Sequence, residues 1–363
     1  MLRAIVVAAA VAACSSASAG GRSGGSADAP SLLQLPPHAA AAPACPDHLS
    51  YGGSDALDAA WSSDYRQAQG LAASVTSAVQ AVKRPLRAHI FVQRSAVPYF
   101  QKLFGMPRGC LSVEAAVGQA VAILHPFDPE LVSKSIPLMS SALLHARGNL
   151  DTPEQAVRLY MHRFLDGKTV IWLDSDTIVK GDLTPLHEQF VKVNRTIAFA
   201  NRLKRLRHTM NISNPCHFEA HAWDRLMDEI VYNTGVFIVN LERWASRHTT
   251  ESIEGYVAQH NACDGKLWSG GDQVPMLLSF FVPFLRGAPR DWGVFGPEWN
   301  LDEMRCGRKL RPERFKYARV LHWAGGHKPW NAAGCYREIW LPYLRNFSKP
   351  FPSGRGLART SRR

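Results

Sequence analysis

Two aspartates separated by one residue, Asp174 and Asp176, have a type and spacing that could do chemistry. They follow the apolar run 169–173, where the chain leaves extended geometry and both carboxylates can reach one cation. Oxygen ligands of this kind suit Mg²⁺ or Mn²⁺, which commonly bridge protein carboxylates to substrate phosphates. Many Asp-x-Asp tripeptides are surface turns, so the pattern needs a partner elsewhere in the chain.

The second block that could do chemistry is the segment 322–330, which also follows an apolar run. His322 offers a nitrogen ligand, and Lys328 offers a point charge to a diphosphate. Gly325 and Gly326 let backbone N–H groups approach phosphate oxygens. The alternative interpretation is an aromatic-rich packing turn with an incidental histidine.

Short apolar runs are the elements that must position these residues. The run 169–173 is continuous, as in strands that are buried on both faces of a mainly parallel sheet. Two further runs, 236–239 and 319–321, repeat the pattern. A helix near 65–82 leads to the run 88–92, which is predicted to be the first buried strand. Because ligands bind at the carboxyl ends of strands in open α/β sheets, the aspartates are expected at such an edge.

Length, composition and charge limit the function classes. With 363 residues and 46% hydrophobic residues, the chain is long enough for one large α/β domain or two small ones. A formal charge of +12 fits nucleic acid, a membrane surface or an acidic substrate. Much of the excess positive charge lies in 202–207 and in the tail. We interpret these regions as solvated segments or as a surface that attracts an anionic glycan.

The N-terminus indicates targeting to the secretory pathway. Arg3 precedes an apolar run over 4–13, and small residues end at Ala19, which fits a cleaved signal peptide. The alternatives are an uncleaved signal that anchors weakly and a lipoprotein box at Cys14. A secretory signal argues against nucleic acid as a partner. We expect no transmembrane span after cleavage, and a location in the Golgi lumen or outside the cell.

Cysteines and glycosylation sequons agree with this compartment. Removing the signal leaves an even number of cysteines, which indicates disulfides whose pairing the sequence does not define. They are Cys45, Cys110, Cys216, Cys263, Cys306 and Cys335. N-x-S/T sequons occur at Asn194, Asn211 and Asn346.

Three ordered blocks make the chain resemble glycosyltransferase family 8, the retaining GT-A transferases. They are 170–176 with 181–186 behind it, 232–241 with Trp244, and the HxxGxxKPW pattern of 322–330. The resemblance covers 85–347 and is nearest to the plant galacturonosyltransferase-like group. It implies an α/β fold of the GT-A type, a Rossmann-like, mainly parallel mixed sheet flanked by helices in a single catalytic domain.

The composition of the two ends of the chain and the resemblance together predict a domain organisation. We expect a signal peptide over 1–19, a low-complexity stalk and leading helix over 20–80, the GT-A domain over 81–348, and a basic flexible tail over 349–363.

The family pattern assigns the metal and diphosphate contacts. It implies that Asp174, Asp176 and His322 hold Mn²⁺, with Mg²⁺ as the alternative. Gly325 and Lys328 are then expected at the diphosphate of the donor.

The sugar-binding and catalytic residues also follow from the resemblance. Arg158 matches an arginine that faces the nucleotide sugar, and Asn233 matches a position that lines the sugar pocket. Asp272 and Gln273 match an Asp-Gln pair beside the anomeric carbon and are the candidate catalytic residues. Asp272 also fits a helix N-cap ahead of Val274, and both roles can hold together.

The sequence departs from the family pattern at the position expected to contact the nucleobase. Family members usually carry a polar or acidic residue at the end of the first strand to contact uracil, whereas the predicted first strand continues as Phe91-Val92-Gln93-Arg94-Ser95. Acceptor choice is expected in 194–228 or in the loops near 292–306.

The predicted function is that of a hexosyltransferase, which moves a sugar with retention from a UDP-sugar to a glycan or other acceptor. An acidic glycan and a role in cell-wall or extracellular polysaccharide synthesis fit the charge and the plant group. Two alternatives stay open. One is an inactive secreted carbohydrate-binding or scaffold protein with the same fold. The other is a metal-dependent phosphoester hydrolase, which usually needs more acidic ligands for two metals.

Overall fold

The computed structural model describes residues 45, 48–115, 119–137, 152–165, 168–200, 205–208, 220–268, 271–307, 310–345 and 347. They belong to one compact unit that starts at Cys45. The predicted signal peptide and basic tail lie outside these ranges. Within them, no helix combines the length and hydropathy that crossing a bilayer requires.

The described strands form one eight-stranded sheet and one two-stranded sheet. In chain order they are β1 (Leu57–Ser62), β2 (Leu86–Gln93), β3 (Ser112–Glu114), β4 (Ala120–Phe127), β5 (Thr169–Leu173), β6 (Thr177–Val179), β7 (Ile197–Ala200), β8 (Val236–Asn240), β9 (Trp292–Phe295) and β10 (Val320–His322). The large sheet has the order β3-β4-β2-β1-β5-β8-β7-β9. Its centre, β4-β2-β1-β5, is parallel, and β8 runs antiparallel to β5 and β7. The predicted mainly parallel mixed sheet is confirmed.

The described helices are α1 (Ala68–Ala81), α2 (Val97–Phe104), α3 (Pro153–Ala156), α4 (Thr184–Val193), α5 (Ala220–Met227), α6 (Leu241–Ser246), α7 (Thr249–Ala262), α8 (Gln273–Leu285), α9 (Pro312–Tyr317) and α10 (Arg337–Arg345). A 3₁₀ helix, Val157–Arg163, continues α3. The helix predicted near 65–82 is confirmed as α1.

Alternate residues of the central strands enter two cores. Trp172 of β5 points into the core that contains α8, whereas Ile171 points into the core that contains α1. This alternation follows from the two-residue period of a strand, and helices cover both faces because both are apolar. The arrangement leaves the carboxyl ends of the parallel strands as the place where polar side chains gather.

The prediction that 88–92 is the first buried strand is wrong, because β1 precedes it in the middle of the sheet. The sequence of β1, LDAAWS, contains an aspartate and small residues in place of the branched apolar residues typical of buried strands. Asp58 is nevertheless buried, since Arg87 and His89 bind its carboxylate. The sheet therefore begins inside the segment 20–80, ahead of the predicted domain start at residue 81.

The position of the run 319–321 in the fold also differs from the prediction. It forms β10, which pairs antiparallel with β6 in the two-stranded sheet, with His322 opposite Thr177. The large sheet contains no part of it. His322 is thus carried to the aspartates by a separate two-stranded ribbon that starts directly after them.

Disulfides are present in the described chain, as expected. They join Cys45 to Cys110 and Cys306 to Cys335, and Cys263 is also disulfide-bonded. The second bridge closes a segment that includes the whole of 322–330.

Candidate active site

The aspartate pair lies at the carboxyl end of β5, in the turn that leads to β6. The backbone N–H of Asp174 donates to Gly235 O at 2.8 Å, and that of Thr177 donates to Asp174 O at 3.1 Å. These bonds hold the turn against the start of β8. The predicted position of Asp174 and Asp176 at the edge of the sheet is therefore observed.

His322 faces both carboxylates. Its Nε2 lies 3.9 Å from Asp174 Oδ2 and 3.3 Å from Asp176 Oδ1. One ligand atom from each of the three residues lies within 4.8 Å of the others. The structure therefore brings together the three residues that the sequence assigned to one metal, although they come from distant segments.

The donor set fits a divalent cation. Two carboxylates and an imidazole are suitable ligands for Mn²⁺, and the carboxylates alone suit Mg²⁺. Gly235 preserves the space around them, since a Cβ at this position would lie 2.2 Å from His322 Cε1 and 2.8 Å from Asp174 Oδ2. Any larger residue at 235 would displace the ligands.

The segment 322–330 is docked on α1 by its last residue. A Cβ at Gly70 would lie 2.4 Å from the ring of Trp330, so this glycine allows the indole to pack directly on the helix. Lys328 Nζ contacts Asp176 Oδ2 and donates to Trp323 O at 3.0 Å. Gly325 has φ of +122°, a conformation that favours glycine, and it is exposed. Lys328, one of the two predicted diphosphate-binding residues, thus contacts an aspartate of the pair.

Arg158 is buried and joins two parts of the site. Its Nε donates to Asp272 Oδ2 at 2.6 Å, and its Nη2 contacts the second oxygen of that carboxylate. Its Nη1 donates to Asp174 Oδ1 at 3.2 Å and to Thr234 O at 2.9 Å. The guanidinium therefore links the candidate catalytic aspartate to a candidate metal ligand, a pairing that sequence spacing could not indicate.

Asp272 occupies the N-cap position of α8, as predicted, but its side chain caps no backbone N–H in the described helix. Arg158 engages both of its oxygens instead. Gln273 is the first residue of α8 and is half-buried. The two residues thus start a helix next to the aspartate pair.

Two asparagines complete the surroundings of His322. Asn300 Oδ1 lies 2.9 Å from His322 Nδ1, and Asn300 Nδ2 donates to Asn233 Oδ1 at 2.9 Å. Asn233 Oδ1 also accepts from Gly235 N at 2.9 Å. The sequence assigned Asn233 to the sugar pocket but missed Asn300, which lies in an irregular segment and has no neighbouring motif.

Burial and charge act differently on the two aspartates. Burial raises the pKa of Asp174 above its ordinary value, opposed by Arg158. Burial also acts to raise the pKa of Asp176, but the charge of Lys328 and the hydrogen bonds from Lys328 and His322 outweigh it, so this pKa lies well below its ordinary value. Such perturbed, adjacent carboxylates are typical of functional sites.

The turn after the first described strand changes the interpretation of the position expected to contact the nucleobase. β1 is followed by Ser63, Asp64 and Tyr65, so an acidic residue does stand at the end of the first strand. This turn is tied to the aspartate pair, because Ser175 Oγ donates to Gln67 Oε1 at 2.5 Å. The departure arose from choosing β2 as the first strand.

A family comparison agrees with this geometry. The family model named Glycosyl transferase family 8 matches residues 59–334, which is more than half of the chain. The chain belongs to this family. The match begins within β1, in agreement with the corrected start of the sheet.

Curated relatives from vertebrates share this family name. Glycosyltransferase 8 domain-containing protein 1 from Danio rerio is 25% identical over 233 residues, which cover 59% of this chain and 60% of the relative. The Xenopus laevis protein of that name is 27% identical over 219 residues, covering 56% and 57%. This chain therefore spans less than two thirds of the length of these relatives.

Solved structures share the fold. The galactosyltransferase LgtC in complex with donor and acceptor sugar analogs superposes with a TM-score of 0.55 at 16% identity, covering 80% of this chain and 96% of that chain. The bifunctional glycosyltransferase WbbM gives a TM-score of 0.55 at 14% identity, covering 81% and 50%. The family 8 domain is thus of the GT-A type.

Proposed function

We propose that this chain is a metal-dependent glycosyltransferase that moves a sugar, with retention, from a UDP-sugar to a glycan or other acceptor. The observation that carries the proposal is the gathering of Asp174, Asp176 and His322 within 4.8 Å. Family membership supports it, since GT-A folds present such a site at the carboxyl edge of the sheet.

Charge balance supports the role of a cation. Among the described residues, two permanently charged cations, Arg158 and Lys328, contact the three carboxylates of Asp174, Asp176 and Asp272. When the imidazole of His322 is neutral, as a metal ligand must be, one negative charge is left uncompensated in this buried region. When bound, Mn²⁺ or Mg²⁺ would supply this positive charge and stabilise a diphosphate leaving group. Asp174, Asp176 and His322 would hold it.

The residues around the aspartate pair account for donor binding. Lys328 would exchange its contact with Asp176 for an oxygen of the donor diphosphate, while the exposed backbone at Gly325 offers an N–H to the same group. We assign Asp64, which follows β1, to contact with the base. Tyr65, whose side chain is 53% exposed beside it, offers a ring on which the base can stack.

The transfer step requires that the bond from the anomeric carbon to the phosphate oxygen breaks while the acceptor oxygen forms its bond to that carbon. We assign Asp272 and Gln273 to the anomeric centre. Since Arg158 holds both oxygens of Asp272, we assign this carboxylate to electrostatic stabilisation of the oxocarbenium-like sugar. The leaving phosphate then takes the proton of the acceptor hydroxyl.

We base the proposals for the acceptor, the biological role and the location on the sequence. The basic composition and the plant-type pattern support an acidic glycan acceptor, cell-wall or extracellular polysaccharide synthesis, and a Golgi or secreted location. Manganese is the expected ion, because the donor set includes an imidazole.

A panel of UDP-sugars tests the proposal. Purified full-length protein should hydrolyse at least one of UDP-galacturonic acid, UDP-xylose, UDP-galactose and UDP-glucose slowly when Mn²⁺ is present and no acceptor is added. Excess chelator should abolish the hydrolysis, and added Mn²⁺ should restore it better than Ca²⁺. Donor binding without any turnover, with or without a panel of glycans, would instead support the inactive scaffold.

A further inference from the structure

Asn300 lies between two groups already assigned to the site and has no role in the transfer described above. It is 6% exposed and follows a short 3₁₀ helix, Pro297–Trp299. Backbone bonds fix its neighbour, since Leu301 N donates to Val320 O at 2.9 Å and His322 N donates to Leu301 O at 3.0 Å. The side chain of Asn300 is therefore held beside the imidazole of His322.

The donor and the acceptor can be assigned in each hydrogen bond around Asn300, starting from a backbone N–H. Gly235 N can only donate, so the Asn233 atom that it contacts at 2.9 Å is the carbonyl oxygen. This oxygen accepts the amide N–H of Asn300 at 2.9 Å, which orients the Asn300 amide with its own oxygen toward His322.

The same reasoning extends to the imidazole. Because Asn300 Oδ1 can only accept, His322 Nδ1 must carry the hydrogen at this 2.9 Å contact. In the neutral ring the lone pair then resides on Nε2, the atom that faces Asp174 and Asp176. A metal-binding histidine commonly needs such an outer partner to fix its tautomer and ring orientation.

We propose that Asn300 is a positioning residue for the metal site, which acts through His322 by fixing Nε2 as the free ligand atom. Through Asn233, it also connects the ligand to the start of β8, where the sugar pocket is proposed. This inference rests on the proposed metal site.

The test measures Mn²⁺ affinity by electron paramagnetic resonance of free Mn²⁺, with full-length protein and without donor. Asn300→Ala removes the acceptor for Nδ1–H and should raise the Kd for Mn²⁺ by about 10- to 100-fold. Asn300→Asp keeps an acceptor oxygen for Nδ1–H, although it loses the N–H that Asn233 accepts, and should bind Mn²⁺ more tightly than Asn300→Ala. Asn300→Leu keeps the volume of the side chain and should behave like Asn300→Ala, which provides a second variant if alanine prevents folding.

Asn240→Ala is the matched control. Asn240 lies at the opposite end of β8, where its side chain accepts from Arg243 N at 2.9 Å as the cap of α6. Its loss should lower the melting temperature in chelator without changing Mn²⁺ affinity.

The positioning role is overturned if Asn300→Ala and Asn300→Leu both bind Mn²⁺ with less than a tenfold loss, or if Asn300→Asp loses as much affinity as Asn300→Ala. A different result would refute the metal site itself: wild-type protein that binds Mn²⁺ no better than Asp174→Asn. That outcome would remove the inference about Asn300 together with the site.

Discussion

Two clusters of buried charged groups lie in different parts of the parallel region of the sheet, one toward the amino ends of its strands and one at the carboxyl end of β5. At the amino end, Asp58 of β1 binds Arg87 through both carboxylate oxygens, at 2.6 and 2.7 Å, and His89 at 2.8 Å. His89 in turn contacts His125 at 2.9 Å. We call these four residues the Asp58 cluster. At the carboxyl end lies the Asp174 cluster, which comprises Asp174, Asp176, Asp272, Arg158, His322 and Lys328.

The two clusters differ in their charge balance. In the Asp58 cluster a single carboxylate meets Arg87, with Lys168 a further 3.7 Å contact, so its charge is already compensated. In the Asp174 cluster three carboxylates meet two permanent cations, Arg158 and Lys328, so one negative charge is uncompensated when His322 is neutral, the form that binds metal. Burying an uncompensated charge is costly. The Asp58 cluster therefore stabilises the fold, whereas the Asp174 cluster lacks a positive charge that a bound metal would provide.

Breaking the Asp58 cluster should have the largest effect on stability. Asp58→Asn leaves the buried Arg87 without its charged partner and should destabilise the protein by about 3–5 kcal/mol, as measured by denaturant unfolding in chelator. Added Mn²⁺ should not correct this loss. A destabilisation below about 1 kcal/mol would show that the Asp58 cluster is not a structural ion pair.

The same substitution in the Asp174 cluster should act in the opposite way. Asp174→Asn relieves repulsion from Asp176 while its amide oxygen still accepts from Arg158, so the metal-free protein should keep or gain stability. Donor hydrolysis with Mn²⁺ should fall at least about 100-fold, because the metal stabilises the transition state by several kcal/mol.

Asp182→Asn provides the control for Asp174→Asn. Asp182 Oδ1 accepts from Thr184 N at 3.1 Å at the start of α4, separated along the chain from Asp176 by β6. The Asp182 variant should hydrolyse donor normally. Equal losses of hydrolysis in both aspartate variants would contradict a special role for Asp174.

The pH dependence of stability should also distinguish the Asp58 cluster from the Asp174 cluster, with a smaller effect than the substitutions above. Burial lowers the pKa of His89, and it lowers the pKa of His125 to about 3. A histidine with a lowered folded-state pKa stabilises the fold above its unfolded pKa of about 6.5, and this stabilisation is lost as the pH falls toward the folded value.

We therefore expect wild-type protein to lose stability between pH 6.5 and 3, measured in chelator so that the Asp174 cluster binds no metal. His125→Gln should reduce the slope by about 1.4 kcal/mol per pH unit in this window. Parallel stability curves for the variant and the wild type would mean that His125 does not titrate on unfolding.

The sequence predicted the parts of the molecule that have local patterns. The aspartate pair after β5 and the segment 322–330 could be identified because each follows an apolar strand and has residue types with defined chemistry. β1 could not, since the burial of Asp58 depends on Arg87, which lies on the next strand. An isolated aspartate in a run of small residues has no local signal for burial.

Contacts between distant segments were the other features that the sequence could not predict. His322 does lie close to Asp174 and Asp176, but the expected reason, two strands of one sheet, is not the observed one. The contacts of Arg158 with Asp272 and of Asn300 with His322 depend on tertiary packing, and no spacing in the sequence indicates them.

The most direct test of a shared metal site is a Mn²⁺ titration of His322→Ala, recording donor hydrolysis and melting temperature at each concentration. Loss of one ligand should weaken metal binding while β10 still packs through Val320 and Leu321, which are fully buried. Hydrolysis should therefore be low at the Mn²⁺ concentration that saturates the wild type and recover in part as Mn²⁺ is raised, because mass action refills a weakened site. An unchanged Mn²⁺ dependence together with a lowered melting temperature would contradict the account and make His322 a packing residue.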